Sequence, residues 1–254
     1  MSAPRPDEQR GNNDGFRGQD RACQRSERGH RRSHRAPAGC GRRGSDRRRA
    51  ERSEACRAGK RHRCPSAGFR RHDEASVRGA IEGLDLYGVV NSAGWGGDIE
   101  TPQDADVDVF DRVMAVNARG VLLVTKYASR EMVRLGRGGS IVNVSSQASL
   151  VALKGHIAYG SSKAAVDNIT RVSALELGQY GIRVNAVNPT VVMTPMSAWY
   201  WGRPEVGVPF LEQMPLHRWA TVEDVASPIV FLLSDGASMI SGVSLPVDGG
   251  YTCR

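Results

Sequence analysis

The first 76 residues of this 254-residue chain contain no valine, isoleucine or leucine, and the first such residue is Val77. A segment without large aliphatic side chains cannot bury enough apolar surface to offset the conformational entropy that it loses on folding. We therefore expect residues 1–72 not to fold alone. Residues 73–254 have the composition of ordinary globular sequence, and we expect them to form the folded part.

Negative charge is also scarce before residue 73. Residues 1–72 hold 20 Arg and 1 Lys against 8 acidic residues, a formal +13, so that the +8 of the whole chain leaves −5 (8 − 13) for residues 73–254. The high pI would by itself suggest nucleic acid or an anionic surface as partner. Because the excess lies entirely in the first segment, we expect no nucleic-acid partner for the folded part.

Long apolar runs and an apolar signal core are missing as well, so we expect a soluble, cytoplasmic protein with no membrane partner. Four of the five cysteines, Cys23, Cys40, Cys56 and Cys64, lie in the basic segment near several histidines. They form no Cys-x-x-Cys pair and match no common zinc-finger spacing, so we expect no metal site. Without a secretion signal, disulfides are not expected either.

Three interpretations of the basic segment can be compared. It could be a disordered tail, because Arg, Gly, Ser and Pro dominate without periodicity. It could be an arginine-rich arm for nucleic acid, although acidic residues interrupt it and only Phe16 and Phe69 could stack on bases. It could also be a real gene read in the wrong frame, since the codons of Leu, Ile, Val, Met and Phe share U in the second position.

The third interpretation can be examined with the genetic code alone. When codons 19–34 are advanced by one base, the residues permitted include the string Lys-Thr-Ala-Leu-Val-Ser-Gly-Ala-Ser-Gly-Gly-Ile-Gly-x-Ala-Ile. This string reads as an apolar strand, a glycine-rich turn and the start of a helix, which is the layout of a dinucleotide-binding unit. Composition favours frame-shifted translation and a disordered tail over the nucleic-acid arm.

From residue 73 onward, strand and helix patterns alternate. Short apolar runs predict strands at 86–91, 141–146, 182–188 and 243–247, and helical periodicity predicts helices at 75–82, 106–135, 158–179 and 222–234. Residues 190–215 are predicted to be a long irregular loop that holds Trp199, Tyr200 and Trp201. Strands that alternate with helices predict an α/β fold with a parallel sheet covered on both faces.

Tyr159 and Lys163 are four residues apart in a predicted helix and therefore share a face. A Lys ammonium beside a phenol favours the phenolate, so we expect it to lower the tyrosine pKa from about 10 and to make Tyr159 a general acid. The pair alone is weak evidence, because such pairs also occur on solvated helix faces. Ser146 and Asn91 strengthen it, since both follow predicted strands at the edge where parallel sheets bind ligands. Asn117 lies in mid-helix, an unusual place for asparagine.

With these motifs the chain resembles the short-chain dehydrogenase/reductase family, which has a Rossmann-like doubly wound fold. The matching motifs are Asn91-x-Ala93-Gly94, Asn117, Ser146, Tyr159-x-x-x-Lys163 and Asn188-Pro189 with Thr194. Within the family, the segments around Ser146 and Pro189 are similar to the L-xylulose (dicarbonyl) reductases. The resemblance covers residues 73–254 and implies one oxidoreductase domain whose N-terminal βαβ portion is missing or disordered as written.

The resemblance implies a reversible hydride transfer between NAD or NADP and a small polyol, sugar or dicarbonyl. It implies that Tyr159 exchanges the proton, Lys163 lowers its pKa and binds the ribose, Ser146 holds the substrate oxygen and Asn117 supports a water relay. The implied cofactor contacts are Asn91, Ala93, Gly94, Tyr159, Lys163, Pro189, Val192 and Thr194. The implied substrate contacts are Gln147, His156 and Trp199. It also implies a homodimer or homotetramer.

The chain departs from the family where the first strand, the glycine turn and the cofactor-selecting residue should stand. Without them we expect the strand ending at Asn91 to become an apolar edge, and we expect the polypeptide as written to bind NAD(P) poorly and to be inactive. The alternative function is therefore an inactive chain whose basic arm binds nucleic acid or nothing. NAD and NADP remain equally open, since the discriminating position lies in the basic segment.

Overall fold

The computed structural model describes Arg70 and residues 72–253, and the elements below belong to that part of the chain. The zinc, disulfide, arm and reading-frame interpretations of residues 1–69 lie outside it. The strands are β1 (Gly88–Asn91), β2 (Gly139–Val144), β3 (Ile182–Pro189) and β4 (Ser244–Val247). The helices are α1 (Glu74–Ile81), α2 (Val107–Met114), α3 (Gly120–Leu135), α4 (Ile157–Leu177), α5 (Pro195–Trp201), α6 (Pro204–Glu212) and α7 (Val222–Leu233).

The four strands form one parallel sheet in the order β1-β2-β3-β4. Because all four run in the same direction, their carboxyl ends lie at one edge, and Asn91 of β1 is in register with Asn143 of β2. Helices connect each strand to the next, as parallel pairing requires. The predicted α/β fold with a parallel sheet is confirmed.

Apolar side chains cover both faces of the sheet. On one face, Ile141 and Val184 pack with Met132 of α3, and on the other, Val142 and Val187 pack with Leu232 of α7. Successive residues of β2 thus enter opposite layers, as the period of two in a strand requires. All six side chains are at most 1% exposed, so the sheet is the rigid support of the edge described below.

The predicted loop at 190–215 is wrong, because this segment contains the helices α5 and α6. Both begin with a proline, whose fixed φ suits the first helical turn and whose missing N–H is not needed there. Ser197 Oγ also accepts a hydrogen bond from the backbone N–H of Thr194, 2.9 Å away, and so closes the start of α5. Pro195 and Pro204 are therefore the first residues of helices.

The predicted helix at 106–135 exists but is not uniform. Between α2 and α3, residues Ala115–Arg119 form one turn of π-helix. A π-turn inserts one residue into the helical repeat and is found mostly at functional sites. Here it contains Asn117, which explains how an asparagine stands in the middle of a helical segment.

β1 is the edge strand of the described sheet, and Val90 within it is 41% exposed. This is the open apolar edge that the absence of an upstream strand predicts. Below it, α1 packs on α3 through Val77 and Tyr127, and Glu74 pairs with Lys126. In the described range, none of the helices combines the length and apolar character needed to cross a membrane.

Candidate active site

A cavity of about 510 Å³ opens at the carboxyl edge of the sheet. This volume lies within the usual range of small-molecule sites, and its position is where open parallel sheets bind ligands. The cavity is lined by segments that follow β1, β2 and β3 and by α4, α5 and α7. Ten predicted site residues line it: Gly94, Ser146, Gln147, His156, Tyr159, Lys163, Pro189, Val192, Thr194 and Trp199.

Tyr159 and Lys163 face the cavity from adjacent turns of α4, and Ser146 meets them from the end of β2. The Lys163 ammonium lies 5.5 Å from the centre of the Tyr159 ring. The Ser146 side chain lines the same cavity and lowers the pKa of the Tyr159 phenol. A carbonyl oxygen placed beside that phenol would therefore meet two hydroxyl groups, which is what carbonyl polarisation and proton transfer need.

The expected direction of the Tyr159 pKa is wrong for the chain by itself. Burial raises the pKa of the Tyr159 phenol above its usual value, because it disfavours the phenolate, and the interaction with Ser146 opposes this only in part. Lys163 was expected to lower it, but Nζ donates to the carbonyl oxygen of Val144, 2.8 Å away. Tyr159 is therefore a protonated phenol at neutral pH, which suits a proton donor.

Asn117 lies beneath the cavity and is not one of its lining residues. The side chain, 1% exposed, accepts from the N–H of Trp95 at 2.8 Å and donates to the Trp95 carbonyl at 2.9 Å and to Ser162 Oγ at 3.0 Å. These three bonds tie the loop after β1 to α4. The side-chain amide of Asn117 therefore holds the loop that carries Gly94.

Asn91 and Ala93 also lie outside the cavity lining. The Asn91 amide donates to Asn143 Oδ1 at 2.8 Å, and Asn143 in turn donates to Thr170 Oγ1 at 2.8 Å. This buried chain of amides joins the ends of β1 and β2 to α4. Asn91 therefore shapes the edge of the sheet on which the cavity opens.

Gly94 leaves room beside Lys163. A Cβ at this position would stand 3.3 Å from Asn117 Oδ1, which is a tight contact, and 3.5 Å from Lys163 Nζ. Pro189 at the end of β3, and Val192 and Thr194 after it, line the same cavity. We call the part of the cavity lined by Gly94, Lys163 and these three residues the slot.

Gln147 is a buried polar side chain that also lines the cavity. It is 1% exposed, and neither its amide nitrogen nor its amide oxygen has a hydrogen-bond partner among the described residues. Leaving such groups unpaired is costly, so an amide that lines a cavity points to a ligand with donors and acceptors.

His156 lines the same cavity. Its Nδ1 lies 2.8 Å from the carbonyl oxygen of Lys154, and a ring nitrogen can bond a carbonyl only as a donor, so Nε2 is the acceptor. Burial lowers the pKa of His156, and the Lys154 bond opposes this only partly, which keeps the ring neutral at pH 7. The ring stacks on Trp201 at 5.7 Å between centres.

An aromatic wall extends from His156 outward. Trp201 contacts Phe210 at 4.5 Å between ring centres, and Phe210 stacks on Tyr251 at 4.8 Å. Trp199, in contrast, is 59% exposed at the rim of the cavity. Tyr200 and Trp201, which the sequence suggests as parts of a lid over the substrate together with Trp199, also line the cavity. Trp95 lines it as well, and nothing in the sequence marked this residue.

No group of three or more His, Cys, Asp or Glu side chains with the geometry to hold a metal ion occurs within residues 72–253. The cysteine of that range, Cys253, is free and exposed. The chemistry that the cavity offers is therefore that of a serine hydroxyl, a phenol, an ammonium, an amide and a neutral imidazole.

Comparisons with known proteins agree with this arrangement. A family model described as enoyl-(acyl carrier protein) reductase, adh_short_C2, matches residues 74–252. L-xylulose reductase of Caenorhabditis elegans is 42% identical over 181 residues, which cover 71% of this chain and 72% of that protein. L-xylulose reductase of Bos taurus is 49% identical over 144 residues, which cover 57% of this chain and 59% of that protein. The chain thus spans about three fifths to three quarters of these relatives.

A solved structure described as a short-chain type dehydrogenase/reductase from Mycobacterium ulcerans superimposes with a TM-score of 0.71 at 36% identity. The superposition covers 73% of this chain and 69% of that chain.

Proposed function

This chain belongs to the short-chain dehydrogenase/reductase family, and from that premise we propose that its parent enzyme is an NAD(P)-dependent oxidoreductase. The reaction is reversible hydride transfer between the cofactor and a carbonyl or alcohol of a small polyol, sugar or dicarbonyl. The observation that carries the proposal is the meeting of Ser146, Tyr159 and Lys163 in one cavity.

Tyr159 supplies the proton in the proposed reaction. Because burial raises the pKa of its phenol, the group is protonated at neutral pH and can donate to the oxygen of a carbonyl that is being reduced. Ser146 donates to the same oxygen and holds the carbonyl beside the phenol. In the oxidation direction Tyr159 must accept a proton, so that this direction is favoured at higher pH.

The slot fits the nicotinamide ribose and carboxamide. The fit rests on Gly94, where a Cβ would stand only 3.3 Å from Asn117 Oδ1, and on Lys163, whose ammonium can donate to ribose hydroxyls. Bound NAD or NADP supplies the hydride, and Lys163, Val192 and Thr194 orient the ring. Asn91, Ala93 and Asn117 act by fixing the loop and the sheet edge that form the slot.

The part of the cavity lined by Gln147 and His156 fits a hydroxylated or dicarbonyl substrate. The Gln147 amide offers an unpaired donor and acceptor, and His156 offers an acceptor for a hydroxyl group. The aromatic wall of Tyr200 and Trp201 gives apolar surface to the C–H face of the same molecule, and Trp199 covers it at the rim. We propose that the substrate is a small polyol, sugar or dicarbonyl for this reason.

We further propose that the polypeptide as written binds NAD(P) poorly and is inactive. The glycine-rich turn that holds a pyrophosphate does not occur in the sequence, and a shifted frame over codons 19–34 permits one. The frame hypothesis is tested by sequencing the coding DNA of codons 19–72. It fails if the shifted frame lacks a strand followed by a glycine-rich turn.

The function is tested by measuring oxidation of NADH and NADPH with L-xylulose and with a vicinal diketone. The assay compares the 254-residue chain with the product of the frame-restored gene. We expect turnover from the restored protein and none from the chain as written. The restored Tyr159→Phe variant should bind cofactor but lose turnover, and unchanged turnover would refute the role of Tyr159. Gel filtration of the restored protein would test whether it is the expected homodimer or homotetramer.

A further inference from the structure

Asp167 is a buried acidic residue that the proposed reaction does not use. It lies on α4 one turn after Lys163 and two turns after Tyr159, so that the three side chains follow one helix face. It is 2% exposed and is not among the residues that line the cavity. A charge in this position needs a reason, because burying it is costly unless it is well paired.

The Asp167 carboxylate holds two residues that both contact Ser146. Its Oδ2 accepts from Ser149 Oγ at 2.6 Å and from Asn188 Nδ2 at 2.9 Å. The Ser149 backbone N–H donates to the Ser146 carbonyl oxygen at 3.0 Å, and Asn188 Nδ2 donates to the same oxygen at 3.2 Å. Asp167 is thus one residue removed from the backbone of Ser146, through two separate bridges.

The carboxylate also determines which way the Asn188 amide points. An ionised carboxylate only accepts hydrogen bonds, so it requires the NH₂ end of the amide to face it. The same NH₂ group reaches the Ser146 carbonyl oxygen. If the amide were reversed, two oxygens would face each other at that point. Asp167 therefore fixes the orientation that lets Asn188 hold Ser146.

The backbone of Ser146 sets the direction of its hydroxyl group. Ser146 begins the short 3₁₀ turn Gln147–Ser149, in which the Ser149 N–H donates to the Ser146 carbonyl at 3.0 Å and the Ala148 N–H donates to Ser146 Oγ at 3.2 Å. The same side chain lines the cavity together with Tyr159, and its interaction with the phenol lowers the pKa of that group. A rotation of this peptide would move Oγ away from the phenol.

Stability alone does not account for the arrangement. Asp167 Oδ1 and Asn188 Oδ1 are both buried and without hydrogen-bond partners in the part of the chain that the structure describes. A buried carboxylate with one unpaired oxygen is a poor source of folding free energy. What it does provide is a fixed direction for the groups on its other oxygen.

We propose that Asp167 is a positioning residue, which holds the Ser146 peptide through Ser149 and Asn188 and thereby aims the Ser146 hydroxyl at Tyr159. Only the kinetic consequence rests on the proposed function. The structural consequence can be measured on the full 254-residue chain without cofactor.

The first test is amide hydrogen exchange in the full chain. In Asp167→Ala, the amides of Ala148 and Ser149 should exchange about tenfold faster or more, since bonds to a charged group are lost. Amides in the last two turns of α4 should keep their rates. In Asp167→Asn, which retains a carbonyl oxygen, the same two amides should stay within about threefold of the parent chain.

Glu131→Gln is the matched control, because Glu131 is also a buried acid, 8% exposed. It lies on α3, where it pairs with Arg134 of the same helix, and not on α4. The Glu131→Gln variant should leave both reporter amides unchanged. Unchanged rates in Asp167→Ala, or acceleration spread evenly along α4, would overturn the proposal. If Asp167→Ala does not fold, Ser149→Ala is judged by the same criterion.

The second test is kinetic and uses the frame-restored protein. Asp167→Ala should lower kcat about tenfold without changing the KM for the cofactor, and Asp167→Asn should recover most of the loss. A rise in the KM for the cofactor as large as the fall in kcat would contradict a positioning role. If no variant or parent turns over, the proposed function fails while the exchange result still decides the proposal on Asp167.

Discussion

Replacing Asn117 with alanine tests how the loop after β1 is held to the rest of the domain. The side chain is 1% exposed and makes three hydrogen bonds, to the N–H and the carbonyl of Trp95 and to Ser162 Oγ. Alanine removes all three and keeps the helical backbone. The loop that carries Gly94 would then lose its side-chain attachment to α4.

The size of the effect follows from these contacts. A hydrogen bond contributes about 1 kcal/mol net to folding, so three lost bonds should lower the free energy of unfolding by about 3 kcal/mol. Two features limit the loss. Ser162 Oγ keeps its bond to the Tyr159 carbonyl at 2.7 Å, and Trp95 is only partly buried, so water can reach its backbone.

Urea denaturation at 25 °C, followed by tryptophan fluorescence, measures this loss. With a slope of about 2 kcal/mol per molar urea, the midpoint should fall by about 1.5 M. Asn168→Ala is the matched control, because Asn168 is an exposed asparagine on α4, and it should change stability by no more than about 0.5 kcal/mol. A loss below about 1 kcal/mol in Asn117→Ala, or one equal to the control, would refute the role assigned to the amide.

Other predictions follow from the same site and surface. Tyr159→Phe should lower turnover of the frame-restored protein at least about 100-fold and leave the cofactor Kd unchanged, as binding titrations would reveal. Because burial raises the pKa of Tyr159, alcohol oxidation should accelerate as pH rises toward and past 10, while carbonyl reduction stays level at neutral pH; a falling oxidation rate would contradict this. His156→Ala should raise the KM of a ketose more than that of a diketone, and equal changes would exclude a hydroxyl contact. Arg218 lowers the pKa of Asp224, so the stability gap between the parent and Asp224→Asn should be constant above about pH 4 and shrink as acid protonates Asp224.

Much of the fold could be predicted from the sequence because its signals are local. The strands around Val142 and Val184 are apolar runs between turn residues, and α4 has a clear helical period. The segment 190–215 could not be predicted, since Pro195 and Pro204 suit a loop as well as the first turn of a helix. Its helices are stabilised by long-range contacts such as Trp201 with Phe210, which no local pattern records.

The candidate site divides in the same way. Ser146, Tyr159 and Lys163 were found by spacing, because a strand end and one helix turn fix their geometry. The contacts of Asn117 and Asn91 were not found, since their partners, Trp95 and Asn143, are brought to them only by the tertiary fold. The raised pKa of Tyr159 was missed because burial is its largest cause, and burial cannot be read from spacing.

We propose that the chain carries the catalytic residues of a reductase whose pyrophosphate-binding turn was lost with its reading frame. The most direct measurement is NADH and NADPH oxidation with L-xylulose and a vicinal diketone by the frame-restored protein, beside its Tyr159→Phe variant. The account predicts turnover that disappears in the variant. Absence of turnover in the restored protein on every substrate, or equal turnover in the variant, would contradict it.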